Sequence, residues 1–367
     1  MMPVLCRLRL CRPLILLGLL GAAATARASD ATTVEQAGVS YGATDDDAGP
    51  LGGGPGYQHI ASQGDHTAST LDELIAALGK AQAGDVVFIP GETEIDLTAR
   101  IYVDKLVLEI PAGVTLAGNR GAADSAGAIL TSDALDTPVM LRPLGPGVRV
   151  TGLRLRGPCP KRYIEHWQRA RDQLGPDYRE YYYKFPTSNG IVTTHDRLKV
   201  DNCEISGFAH AGVHLRAGTG HRVHHCSIHH CQYQGLGYGV CLNTATAKID
   251  HNLFNWNRHS IAGTGRPPCG YEAAHNVELG ESLSHCFDMH GGRDRGDGTN
   301  TAGTLIEIHH NTFRAAQPAV KIRGKPEDAC RVHHNWFVRF ELPAKAVVAE
   351  AGTSATENAY GPAGEIK

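Results

Sequence analysis

Two short segments, one repeat apart, concentrate side chains able to move protons: Cys286-Phe287-Asp288-Met289-His290 and Ala319-Val320-Lys321-Ile322-Arg323. An imidazole can accept a proton near neutral pH, a carboxylate can orient it, and lysine or arginine can hold a negative charge. A substrate suited to all four groups carries a carboxylate of its own. In a uronic acid, neutralising that carboxylate acidifies the C5 proton, which a histidine or lysine can then remove. His290 is the candidate base, with Lys321 and Arg323 as carboxylate partners or the second proton-transfer groups, and Asp288 as the residue that orients a partner. Arg216, Asn243, Arg258, His259 and His285 hold matching or adjoining positions in neighbouring units and are candidate substrate contacts. Tyr271 is a candidate acid on the adjoining loop, which also carries Glu272.

What places these residues together is a repeat. One phrase recurs as His225-Cys226-Ser227-Ile228, His251-Asn252-Leu253-Phe254, His275-Asn276-Val277-Glu278, His310-Asn311-Thr312-Phe313 and His334-Asn335-Trp336-Phe337. The spacing is about 24 residues, with one interval of 35. A period in that range predicts a solenoid whose units stack on one another. A second strand recurs in each unit, and alternation along it sends Ile191, Val213, Val240, Ile261, Phe287 and Val320 inward. One outer column then reads Val192, His214, Cys241, Ala262, Asp288, Lys321, and its neighbour Thr194, Arg216, Asn243, Thr264, His290, Arg323. Stacked strands lie about 4.8 Å apart, so the last two units bring Asp288, His290, Lys321 and Arg323 into one patch. The fivefold histidine column is scaffold by the same reasoning: a stacked ladder whose Asn neighbours turn the corner and bond along the stack. The spacings in His224-His225-Cys226 and His229-His230-Cys231 fit no standard zinc finger, and no metal ligand set is assigned.

Residues 1–28 have the form of a signal peptide: Arg7, Arg9 and Arg12 precede an apolar run from Pro13 to Ala24, and Ala26-Arg27-Ala28 offers a cleavage site. The run is too short to cross a bilayer, which takes about 20 residues, so the expected location is secreted or periplasmic. Cleavage would remove Arg7, Arg9, Arg12 and Arg27 and no acid, taking the net charge from −3 to −7. That balance excludes general nucleic-acid binding. Of eight remaining cysteines, Cys203 and Cys226 stand where later repeats carry Asn, which suits small buried rung residues as well as disulfides. Residues 29–65 read as a flexible lead-in rich in Gly, Ala, Asp and Pro. Leu71, Leu74, Ile75 and Leu78 have helical spacing behind a Ser69 or Thr70 cap, and short strands separated by Gly and Pro follow. The solenoid is expected over 66–345, with a C-terminal tail at 346–367. Residues 158–186 interrupt it with Tyr163, Trp167, Tyr178, Tyr181, Tyr182 and Tyr183, either a flap packed on the coil or a lobe that stacks sugar rings.

Three stretches, Leu71 to Leu78, Ala83 to Gly91 and Pro111 to Gly118, together with the later repeats, resemble secreted right-handed parallel β-helix proteins of the pectate lyase-like superfamily. The resemblance spans roughly 66–340 and implies an all-β, single right-handed parallel β-helix with an N-terminal capping helix. Phe287-Asp288-Met289-His290 resembles the Asp-Pro-His-Asp motif of β-helical mannuronan C5-epimerases, with Met289 in place of Pro and Gly291 in place of the second Asp. Lys321-Ile322-Arg323-Gly324 followed by His333-His334-Asn335 resembles the Arg-rich strand of β-helical polysaccharide lyases. Those families imply Lys or Arg as base and often Ca²⁺ against the carboxylate, although their calcium-binding acids have no counterpart here. The polygalacturonase-type pattern matches less well: Asn243-Thr244-Ala245 lacks its aspartate, paired aspartates are missing and Lys321-Ile322-Arg323 reverses its basic motif.

The expected protein is an exported enzyme acting on a uronic-acid polysaccharide by C5 proton abstraction, with β-elimination or epimerisation as the outcome. The alternatives are a β-helical glycoside hydrolase, which needs two carboxylates across the scissile bond, and a non-catalytic glycan-binding β-helix. The expected partner is an acidic polysaccharide, without nucleic acid or membrane, and the expected state is a monomer. No cofactor is assigned beyond the calcium that the resemblance brings.

Overall fold

The computed structural model describes residues 31–185 and 187–367. The proposed signal peptide lies outside the described residues. Successive turns of the chain lay down parallel strands on three faces of a coil. The first face runs from Leu108–Ile110 to Val347–Ala349 and includes Asn189–Thr193, His259–Gly263, Phe287–Met289 and Val320–Ile322. The second runs from His66–Thr67 to Thr353–Ala355, and the third from Glu94–Asp96 to Ala359–Tyr360. Two long strands, Ala211–His224 and Tyr238–Asp250, pass through the bend and serve both the first and second faces. This is a parallel β-helix. Ile191, Val213, Val240, Ile261, Phe287 and Val320 pair in that order and are fully buried, the inward column expected from alternation.

The helix Leu71–Lys80 closes the first coil, burying Leu74, Ala77 and Leu78. Thr70 caps it: its hydroxyl accepts from the Glu73 amide, and the Glu73 carboxylate accepts from the Thr70 amide.

The corner between the second and third faces is turned by a single left-handed residue, the repeated histidine: His225, His251, His275, His310 and His334 have φ between 51° and 56°. Histidine tolerates this region better than most side chains. The rings stack at 4.9–5.0 Å. The Asn that follows points inward. Asn252, Asn276, Asn311, Asn335 and Asn358 are fully buried and bonded amide to amide along the stack at 2.9–3.0 Å. The bonding along the stack is as expected; it is the histidine, rather than the Asn, that makes the turn. Cys226 sits in the same column, and its amide donates to Asn252 Oδ1 at 2.9 Å. All eight cysteines from Cys159 to Cys330 are buried and free among the described residues, and Cys203 and Cys226 sit inside the coil as small rung residues. Replacing Asn311 by Ala leaves the Asn276 amide and the Ala273 carbonyl without their partners inside the coil. Such orphaned groups together cost roughly 3–5 kcal/mol, and thermal unfolding should show it. A loss below about 1 kcal/mol, within the ordinary range for single substitutions, would mean that the ladder is not a stabilising device.

Two expectations are corrected here. Residues 31–58, read as a flexible lead-in, form a hairpin (Thr33–Gln36 with Val39–Gly42) and then a strap along the histidine corner. Tyr41 stacks on His334, Thr44 Oγ1 meets His275 Nδ1 at 3.1 Å, Asp46 meets His225 Nε2 at 3.1 Å, and Tyr57 donates to Asp201 at 2.9 Å. Gly and Asp here serve positive-φ turns and side-chain capping: Gly52, Gly53 and Gly54 all have φ between 66° and 88°. The C-terminal segment is likewise no free tail: it supplies strands to all three faces, and Asn358 extends the Asn ladder. A polar strand that pairs with an existing rung needs little hydrophobic patterning of its own.

One core position departs from the pattern. Glu278 replaces an aromatic in the third-face stack Phe254, Glu278, Phe313, Phe337, Tyr360. Neither carboxyl oxygen has a hydrogen-bond partner among the described residues. Burial pushes its pKa from 4.5 up to about 8, and the nearby Ser260 hydroxyl offsets this only a little. The folded state therefore binds more protons than the unfolded chain between those values, so stability falls as pH rises from 4.5 to about 8. The whole change is on the order of 5 kcal/mol. Glu278→Met should raise the unfolding midpoint at pH 8 and remove this slope; an unchanged slope would show that another group carries it.

Candidate active site

The first-face strand Phe287–Met289 and its neighbour Val320–Ile322 pair Asp288 directly with Lys321. Asp288 is completely buried, which would ordinarily raise its pKa. Hydrogen bonds to His285 and His290 and the nearby His259 overcome this and hold the carboxyl well below the usual carboxylate range. His290 Nε2 lies 2.9 Å from Asp288 Oδ2. Arg323 donates to both oxygens, Nε to Oδ1 at 2.9 Å and Nη2 to Oδ2 at 2.8 Å. His285 Nε2 lies 3.1 Å from Asp288 Oδ1 and 2.9 Å from Arg323 Nη2. As a lone pair it accepts from the arginine; as an N–H it donates to the carboxylate. Desolvation lowers the His285 pKa, which favours a neutral ring that can take either role. With Nε2–H given to Asp288, His290 keeps its lone pair on Nδ1, which is 3.8 Å from Asp294 and outside hydrogen-bond reach. A buried carboxylate that holds an imidazole in one tautomer and supports its positive form is the arrangement of a general base.

Around this dyad, Asp288, His290, Arg323 and His285 come together, and Lys321 stands beside Asp288 in register with no hydrogen bond or ion pair among the described residues. His290 lines a recess of about 120 Å³ together with His210, Leu236, Tyr238, Cys241 and Asn243. The recess shares Asn243 and Thr264 with a wider cleft of about 720 Å³ whose walls include Arg216, Arg266 and Arg295. Arg216 and Arg266 are exposed. Arg295 is fixed by bonds to Asp297 and to the Thr264 and Thr301 carbonyls. Cys241 and Ala262 of the outer column line the floor of this recess and are nearly buried, clustered with Tyr238 and Leu236.

Several expected roles change with position. Arg323 is held two-pronged on Asp288, so its charge is already matched and it is not free to neutralise a substrate carboxylate. His259 is buried; its Nδ1 donates to the His285 carbonyl at 2.6 Å and its ring stacks on Tyr238. It supports the site from behind and does not meet substrate. Arg258 lies over the Tyr238 ring and donates to the Leu236 carbonyl. Tyr271 is on the second-face strand Gly270–Ala274 rather than a loop, and its ring is in the core with its hydroxyl 3.5 Å from the Asp288 carbonyl oxygen. It is therefore no acid facing substrate. Glu272 points from the same strand into a different, more apolar recess on the second face, paired with Lys248 at 2.8 Å. Tyr182 is buried in the 158–186 insertion, stacked on Tyr233 at 4.7 Å, so it offers no face to a sugar. The insertion is a helical flap, Ile164–Leu174 and Tyr178–Tyr182.

The sequence reading missed Arg266, Arg295, Asp294, Tyr238 and His210. Arg295 and Asp294 sit on a short turn of helix, Gly292–Arg295, in the Gly-rich insertion that lengthens one repeat. The only available signal was the charge in Arg293-Asp294-Arg295 within an otherwise Gly-rich stretch. Calcium does not fit the dyad. The ion takes about six to eight oxygen ligands, whereas both oxygens of Asp288 are taken by Arg323 and histidines.

Residues 189–359 match the family model described as the right handed beta helix region. Together with the three-faced coil, this gives the chain the fold of a right-handed parallel β-helix. Among solved structures, the chain is similar to an alginate lyase from Paenibacillus sp. str. FPU-7, at 14% identity and a TM-score of 0.46, covering 82% of this chain and 96% of that one. It is also similar to the Dettilon tailspike protein, at 11% identity and a TM-score of 0.42, covering 73% of this chain and 48% of that one. No curated protein matches the chain in sequence.

Proposed function

We propose that the protein is an exported enzyme that removes the C5 proton from residues of a uronic-acid polysaccharide. The observation that carries this reading is the 2.9 Å Asp288–His290 contact at a recess opening into an arginine-lined cleft. Arg216 and Arg266 would receive substrate carboxylates, since both are exposed and neither makes a side-chain ion pair among the described residues. Lys321, unpaired beside Asp288, is the candidate for the carboxylate of the reacting sugar. His290 takes the C5 proton, and the carbanion formed is stabilised as the carboxylate's charge is held. Breaking the C4–O bond then gives an unsaturated sugar; returning a proton to the opposite face of C5 gives an epimer. Tyr238, which lines the recess with His290, replaces Tyr271 as the candidate proton donor.

Hydrolysis is less well supported, because Asp288 is held ionised and Glu272 lies on another face. The test is incubation with a panel of mannuronate, guluronate and galacturonate polymers in deuterated water. Elimination is seen as far-ultraviolet absorbance of the unsaturated product, and epimerisation as deuterium at C5. New reducing ends without unsaturation would assign hydrolysis instead. Binding without any of these signals would leave a glycan-binding protein and overturn the proposal.

A further inference from the structure

Beneath the cleft lies a second group of side chains that the proton-transfer reading does not use. His214 and Cys241 are direct neighbours on adjacent parallel strands, and both point outward from the coil. His210 enters from the loop before Ala211–His224, its backbone pinned by the Ser188 carbonyl on one side and the Tyr238 amide on the other. The rings of His210 and His214 are 4.6 Å apart, and one ligand atom from each of His210, His214 and Cys241 falls within 4.8 Å of the others. Neither the His210 ring nor the Cys241 thiol has a hydrogen-bond partner among the described residues, although Cys241 is buried. His214 Nε2 lies 3.2 Å from Asn243 Oδ1. With the hydrogen on that nitrogen, its lone pair is left on Nδ1 and Asn243 holds the ring orientation, as outer-shell partners of metal-bound histidines do.

We propose that His210, His214 and Cys241 form a binding site for a divalent transition metal of the zinc class, with its fourth coordination position open to the recess that holds His290. Two imidazoles and a thiolate favour such an ion over calcium or magnesium. Bonds of about 2.1–2.3 Å in a tetrahedron place ligand atoms roughly 3.6 Å apart, so side-chain rotation of about an ångström closes the triad. Three protein ligands with one open position is the arrangement of a reactive rather than a structural zinc. The recess of about 120 Å³, lined by His210, Cys241, Asn243 and His290, has room for water or a ligand oxygen there.

The site stands whichever reaction the dyad performs, and its test reads the metal directly. The full-length chain, stripped by chelator and dialysed, is titrated with Co²⁺. One equivalent should give intense visible bands of tetrahedral cobalt and a near-ultraviolet thiolate-to-cobalt band, both removed by Zn²⁺. Cys241→Ser should lose the thiolate band, and His210→Ala should weaken binding by about 10²-fold or more, since losing even an outer-shell partner of a metal-bound histidine costs about 10–100-fold. Cys226→Ser and His290→Ala should bind as the parent does. His210 borders the recess, so its variant keeps the test open if Cys241→Ser fails to fold. No cobalt uptake, octahedral spectra alone, or a thiolate band that survives Cys241→Ser would overturn the assignment.

Discussion

His290→Ala is expected to lower turnover of a uronate polymer by roughly 10²–10⁴-fold, the span that a positioned general base contributes. The polymer should bind nearly as before, because Arg216, Arg266 and Arg295 remain in the cleft. His290 is about a quarter exposed and contributes no rung to the core, so circular dichroism and the unfolding midpoint should stay close to those of the parent. His290→Gln separates geometry from basicity: it can still meet Asp288 but cannot accept the proton, and should be as inactive as the alanine variant. Activity within about tenfold of the parent in both variants, well short of a general base's contribution, would move the base elsewhere in the cleft.

Asp288→Asn should lose both activity and stability. The carboxylate is fully buried and shared by Arg323, His285 and His290. Removing its charge leaves a largely desolvated arginine with only the more distant, partly exposed Asp294 at 3.5 Å as counter-ion, and breaking a buried pair of this kind costs about 3–5 kcal/mol. It also releases the His290 tautomer, so residual turnover should be near that of His290→Ala. Combining Asp288→Asn with Arg323→Met removes the stranded cation as well. The double variant should regain much of the lost stability and none of the activity, because the two residues interact directly. Equal destabilisation in the single and double variants would show that Arg323 does not depend on Asp288 for its charge balance.

Much of the frame was legible from residue pattern. The inward column from Ile191 to Val320 and the outer pairing of Asp288 with Lys321 follow from alternation within a strand and identical spacing between rungs. The capping helix was legible because Thr70 and Glu73 form a local motif independent of the rest of the fold. The strap was not. Residues 31–58 have the composition of a loose segment, and what orders them is contact with His225, His251, His275 and His334, far away in sequence. Tyr182 and Tyr271 were misread for a related reason: an aromatic in an insertion, or at the start of a strand, has no periodic signal telling core from cleft. Arg295 was passed over because the partners that set it toward the cleft include the carbonyls of Thr264 and Thr301, and no pattern in side-chain types announces a backbone partner.

The sequence by itself therefore determined the coil, its rung spacing and the register that sets Asp288 beside Lys321, because strand alternation and a constant repeat leave little freedom. Only the tertiary structure decided which charges are spent and which are free. Arg323 closes on Asp288, Arg216 and Arg266 face an open cleft, and His210 reaches His214 and Cys241. Those outcomes depend on the loops between rungs. Loops have no period, and their course is set by packing and desolvation against residues distant in the chain.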